Sequence, residues 1–189
     1  MRKYVLSGIM AAFAVCCTQH PAWSLMVPLS TQTLASDSES VVTGAVEDVK
    51  SCWDNKGQSI VTRATIKVDQ VVRGEVEPGL VEIEYMGGKV GDLVLKVSDS
   101  PSFEKGQEVV VFLKHTDSGL GGGAYKVVGQ AQGKYTVGAD GIARKEGFSV
   151  MNTAASLSEG TSPGTVAGTG VIDNDIPVAT LIEKIKAVK

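Results

Sequence analysis

Ile60-Val61-Thr62-Arg63-Ala64-Thr65-Ile66-Lys67-Val68-Asp69 is the most regular stretch of this 189-residue chain. Ile60, Thr62, Ala64, Ile66 and Val68 alternate with Val61, Arg63, Thr65, Lys67 and Asp69. A period of two with one apolar face and one mostly polar face is the signature of a half-buried β-strand. The same reading extends outward on both sides. Toward the N-terminus, Val41, Val42, Val46 and Val49 form a β-branched run around Gly44, closed by the turn signal Asp54-Asn55-Lys56-Gly57. Toward the C-terminus, Val81, Ile83 and Tyr85 alternate with Glu82 and Glu84, and Leu93 to Val97 is a further short run. Val109-Val110-Val111-Phe112-Leu113 is apolar throughout, as a strand covered on both faces would be. Tyr125 to Val128 follows a Gly loop, and Lys134 to Val137 and Ile142 to Lys145 flank Asp140-Gly141, a favoured hairpin turn. Seven or eight short strands with frequent turns predict a mainly β domain over residues 41–150, a small barrel or, as the alternative, a β-sandwich.

The two ends differ from this middle. Arg2 and Lys3 precede an uncharged apolar stretch from Tyr4 to Cys17, and Ala22-Trp23-Ser24 fits a small-x-small cleavage rule. Residues 1–24 therefore read as a secretory signal peptide, with Leu25 as the first mature residue. The apolar stretch is shorter than the roughly 20 residues a spanning helix needs. Export to the periplasm or the extracellular space is expected, with no membrane span after signal cleavage. Cleavage removes two cations and no acid, so the formal net charge of −3 becomes more negative. That disfavours a nucleic-acid partner, whose phosphates select clustered Lys and Arg. It also removes Cys16, Cys17 and His20. Cys52 is left without an intrachain partner, so stability must come from burial. A disulfide between two chains through Cys52 is one expectation, checked by a reductant-sensitive band of doubled mass on non-reducing gels.

Residues 25–40 read as a lead-in segment, with Leu29 and Leu34 tucking against the domain. Residues 151–176, rich in Gly, Ser and Thr, read as a flexible linker. Val178, Leu181, Ile182, Ile185 and Val188 then fall at helical spacing, which predicts a short amphipathic helix over 177–187. Asp173 or Asp175 is its expected cap, and the barrel is the expected support for its apolar stripe.

Residue types that carry chemistry are sparse. Cys52, beside Lys50 and Trp53, reads as a half-buried small hydrophobe more than as a reactive thiol. His115 precedes Thr116 and Asp117, but adjacent residues on a strand point apart and no nucleophile is positioned by it. One mature His and one mature Cys do not make a zinc site. Gly119-Leu120-Gly121-Gly122-Gly123 lacks the trailing Lys-Ser/Thr of a phosphate loop. Asp173-Asn174-Asp175 lacks the Gly and distal Glu of a calcium loop. Glu82 and Glu84 read as a solvent face, not as an acid/base pair. No residue is assigned a catalytic, cofactor-binding or metal role, and the chain is read as a non-enzyme.

One skeleton is similar to something known. Val68-Asp69-Gln70-Val71-Val72-Arg73-Gly74 is followed by Phe103-Glu104-Lys105-Gly106-Gln107-Glu108 and the apolar strand Val109 to Leu113. Ser38-Glu39-Ser40-Val41-Val42-Thr43-Gly44-Ala45-Val46 opens it, and Gln132-Gly133-Lys134-Tyr135-Thr136-Val137 closes it. This resembles the netrin-like modules, which include the tissue inhibitors of metalloproteinases, and exported bacterial proteins of the same layout. The resemblance implies an OB-like Greek-key barrel. Inhibitors of that kind use an N-terminal Cys against the protease zinc, whereas this mature chain would begin with Leu25. The fold is carried over and no functional residue is.

The function expected is that of an exported, non-catalytic binding protein whose partner is a protein or another envelope or extracellular ligand. An inhibitor or partner of a co-exported protease is the alternative, and a hydrolase with an unrecognised site the second alternative. Loops on a rigid barrel commonly carry recognition. The candidate interaction surface is accordingly Trp53, Cys52, the loop Met86 to Val90, and the Gly loop with Gly119 and Gly121.

Overall fold

The computed structural model describes residues 28–77, 79–116, 124–146 and 174–188. The signal segment, Gly119 and Gly121, and nearly all of the linker lie outside these residues. Among the described residues no helix is long and apolar enough to cross a membrane.

The elements are α1 (Thr31–Asp37), β1 (Ser40–Trp53), β2 (Ile60–Arg73), β3 (Leu80–Met86), β4 (Gly88–Val90), β5 (Leu93–Leu95), β6 (Glu108–Thr116), β7 (Ala124–Val127), a 3₁₀ turn (Gln130–Gly133), β8 (Lys134–Val137), β9 (Ile142–Lys145), β10 (Asp175–Pro177) and α2 (Val178–Lys186). Five strands close a barrel in the order β1-β2-β3-β7-β6 and back to β1. All of these pairings are antiparallel except β3 with β7. This is the OB-like Greek-key barrel expected. Beyond it β8 pairs with β6, β9 with β8 and β10 with β9, while β4 and β5 form a separate hairpin.

Closing a barrel of so few strands requires a long strand that bends to follow both its neighbours. β1 pairs with β2 along its length, and its first part, Ser40 to Ala45, also pairs with β6. Its register against β2 slips at Val41/Val42, Thr43/Gly44 and Val46/Asp48. Such bulges bend and twist a strand, which lets β1 coil around the barrel.

Two cores result. The barrel interior holds Val42, Val46, Ala64, Ile66, Val81, Ile83, Phe103, Val109, Val111 and Leu113. The second core lies outside the barrel wall and joins Leu34, Val41, Val110, Phe112, Tyr135, Ile176, Leu181 and Ile185. Strand β6 sends alternate residues into each, which is why Val109 to Leu113 reads as apolar throughout.

The segments read as appendages are built into the second core. The lead-in contains α1, whose N-terminus is capped by Ser30 Oγ accepting from the Thr33 N–H at 3.1 Å. Leu34 and Ala35 are its only fully buried apolar residues, too few for a periodic signal in so short a helix. Just before it, the Leu29 N–H donates to Gln132 Oε1 at 2.7 Å and the Leu29 carbonyl accepts from Lys145 Nζ at 2.8 Å. At the other end, α2 falls where periodicity placed it and buries Leu181 and Ile185 completely. Its cap is a correction: Pro177 occupies the N-cap position with no side-chain bond. Asp175 is instead held in β10 opposite Arg144, so the end of the predicted linker is a strand. Asp173 lies outside the described residues.

Candidate functional site

The site grows from the rim where β1 ends, β2 begins and β3 ends. The register sets Cys52 beside Val61 and Val61 beside Met86, one row across three strands. The next pair, Trp53 opposite Ile60, points to the other face, because strand side chains alternate. Past Met86 the chain does not form the loop expected. It turns into the β4–β5 hairpin, with Gly88 opposite Leu95 and Val90 opposite Leu93.

The hairpin is laid on the rim by small residues and hydroxyls. A Cβ on Gly88 would stand 2.2 Å from Thr62 Oγ1 and 2.3 Å from Ser51 Oγ, so only glycine allows this approach. Beneath it, Ser51 Oγ and Thr62 Oγ1 are 2.8 Å apart, and Thr62 Oγ1 donates to the Gly87 carbonyl at 2.6 Å. The rim hydroxyls are thus engaged in seating the hairpin. Among the exposed charges of Lys89, Asp92 and Lys96, the hairpin and its neighbours also present large apolar side chains outward. Leu93 is 57% exposed, Val94 58%, Met86 51%, Trp53 41% and Val97 38%.

Next to this patch, and sharing Met86 and Val97 with it, lies a groove of about 310 Å³. Val61, Pro101 and Val127 add apolar wall, and Glu84 and Lys126 add one charge of each sign. The segment that borders it is held at Asp99 and Ser100. Ser100 Oγ donates to the Met86 carbonyl at 2.7 Å, and the Ala131 N–H donates to the Asp99 carbonyl at 2.9 Å. Tyr85 packs against Phe103 with ring centroids 5.6 Å apart, and burial pushes its phenol above the ordinary value.

The remaining candidates take structural places. Cys52 is half-buried and lines a polar hollow with Asp48, Lys50, Ser51, Arg63, Thr65 and Glu82. The Lys50 ammonium pairs with Asp48 at 2.5 Å, and that carboxylate raises its pKa. Glu82 and Glu84 flank Arg63, at 3.9 Å and 3.2 Å. The His115 N–H donates to Glu39 Oε2 at 2.9 Å, and its ring meets Tyr125 edge-on at 5.5 Å. Among the described residues no three Asp, Glu, His or Cys side chains are grouped to hold a metal ion.

Of the residues read from the sequence, the structure brings Met86 and Cys52 into one row and puts Trp53 on the adjoining rim. Gly119 and Gly121 lie outside the described residues. The sequence marks Leu93, Val94 and Val97 only as part of a strand run. The Gly91-Asp92 dipeptide between two apolar runs is the hairpin signal that joins them to the rim.

No known protein family matches the chain, and no curated protein does.

Proposed function

We propose that this protein is an exported, non-catalytic binding module, and that its recognition surface is the barrel rim formed by Trp53, Met86 and the β4–β5 hairpin. One observation carries the reading. Seven large apolar residues are exposed among the described residues, and five of them, Trp53, Met86, Leu93, Val94 and Val97, belong to this rim and the chain that leaves it. Scattered exposed hydrophobes are ordinary, but their concentration at one rim of a barrel supports reading that rim as an interaction site. The hairpin is fastened through Gly88, Ser51 and Thr62, so the surface is presented in one shape. A preformed surface loses little ordering entropy on binding. The acidic balance favours a protein or neutral envelope ligand over a polyanion.

The test is capture from the exported fraction of the protein's own cells, using the chain from Leu25 to Lys189 and a Trp53→Ala, Leu93→Ser double variant. Leu93 is 57% exposed and Trp53 41%, so the larger stability loss is expected at Trp53, with the fold retained. The double variant is expected to be folded at the temperature of capture, as its own melting curve shows, and to lose a partner that the parent retains stoichiometrically. Equal retention by both would remove the rim from the reading.

A further inference from the structure

The barrel is closed by a narrow seam. Strands β3 and β7 share one bridge, Ile83 with Tyr125. Yet β3 continues to Met86, and β7 continues to Val127. The opposite edges of both strands are occupied. β2 pairs with β3 as far as Val61 and Met86, and β6 pairs with β7 as far as Leu113 and Val127. On the seam side, no strand pairing among the described residues continues past the bridge. The 310 Å³ groove lies over this splayed seam, with Glu84, Tyr85 and Met86 on one wall and Lys126 and Val127 on the other. The Ser100 hydroxyl bonded to the Met86 carbonyl marks its far end.

We infer that this seam is a docking slot for an extended polypeptide segment, which adds main-chain hydrogen bonds beyond the Ile83–Tyr125 bridge and seats an apolar side chain among Val61, Met86, Val97, Pro101 and Val127. The inference deepens the proposed function and rests on it, since the groove shares Met86 and Val97 with the rim. Strand edges offer N–H and C=O groups at the strand repeat, and a polypeptide main chain is the ligand that answers at the same repeat. Its side chains alternate, so one in two faces the apolar wall while the others face outward. The charges agree with a neutral main chain. Glu84 and Lys126 oppose one another across the slot, and Arg63 lies 3.2 Å from Glu84, so the slot presents no single-sign field.

Selection of displayed random hexapeptides on the Leu25–Lys189 chain, followed by synthesis of the winners, tests this. A selected peptide is expected to shift the backbone amide resonances of residues 84–86 and 126–127. N-methylation of alternate peptide amides should weaken binding about tenfold or more, and methylation of the intervening ones much less. Met86→Glu should weaken it by a similar factor at an unchanged melting temperature, because Met86 is half exposed. The Trp53→Ala, Leu93→Ser variant should still bind the peptide. Failure to select a peptide, indifference to amide methylation, or full binding by Met86→Glu would each overturn the slot. If the slot fails while the rim double variant loses its captured partner, the proposed function stands without it. If peptides bind as described while the rim variant keeps the captured partner, the rim reading is the one that falls.

Discussion

Gly44→Ala is expected to destabilise the protein by about 3 kcal/mol or more, a large part of the total for a domain of this size. A Cβ at this position would lie 2.1 Å from the Lys67 carbonyl oxygen and 2.9 Å from Ile66 Cγ2. The first obstacle is main chain, and it cannot swing away as a side-chain tip would. Nor can β1 retreat, because Gly44 is paired on both edges, with Val68 of β2 and Val109 of β6. Relief requires parting β1 from β2 or from β6. Gly57→Ala is the control: its φ is +65° but open space surrounds it, so the cost should be about 1 kcal/mol. Urea unfolding of the two variants against the parent measures both values. A Gly44→Ala midpoint as close to the parent as that of Gly57→Ala would show that the bend in β1 is not held by this contact.

The same residue shows which parts of the fold were open to reading from sequence. Strand periodicity in β2 and β3 is a local property, and it located those strands and their inward faces. The skeleton of glycines and hydrophobics between Ser38 and Val137 is also visible as spacing, and its residues have structural work: Gly44 is the bend, Phe103 fills the barrel, and Lys134 and Tyr135 are buried. A skeleton made of such positions reports a fold and is silent on a ligand. An exposed apolar surface carries no obligatory residue type, so nothing in Leu93 or Val94 marks them as exposed. Their exposure follows from where the hairpin lands, which depends on Ser51 and Thr62 far from it in sequence. Helix α1 was hidden for a related reason. Its buried residues, Thr31, Leu34 and Ala35, fall at helical spacing, but only Leu34 is large and apolar, so no hydrophobic stripe shows in the sequence. Composition extends the linker to residue 176 because it cannot foresee that β9 offers an edge to Ile176.

Lys134 supplies the second large effect. Its side chain is completely buried, with Nζ 2.6 Å from Glu146 Oε1 and 3.1 Å from Gln107 Oε1, and donating to the Ser102 carbonyl. The ammonium also lies over the Phe103 ring, 4.8 Å from its centroid. One cation thus ties β8 to the segment that leads into β6 and holds Phe103 in the barrel. Lys134→Ala removes the cation from a half-buried carboxylate, takes its donor from the Ser102 carbonyl and opens a void. The expected loss is about 3 kcal/mol, the lower end for a broken buried pair, because Glu146 keeps some contact with solvent. Lys134→Met keeps the volume and removes the buried charge, and Glu146 keeps hydroxyl donors in Ser102 and Thr136. Its expected loss is smaller, about 1 kcal/mol.

The dependence on pH separates these contributions further. Burial lowers the Lys134 pKa from its ordinary 10.5, and Glu146 opposes that shift only in part. Between the lowered folded value and 10.5, the unfolded chain binds more protons at this residue than the folded one. Stability contributed by this group therefore rises with pH across that window. Lys134→Met lacks the group, so the gap between parent and Lys134→Met should widen from neutral pH to about pH 10. Urea midpoints of parent, Lys134→Met and Lys134→Ala, taken at both pH values, read the order and the slope together. An Ala variant as stable as the parent would make the buried cation dispensable. A gap that narrows as pH rises would mean that the folded protein holds this proton more tightly than the unfolded chain, so that Glu146 outweighs burial. In that case the Lys134–Glu146 pair, not the packing of its aliphatic stem around Phe103, would be what fastens β8 to the barrel.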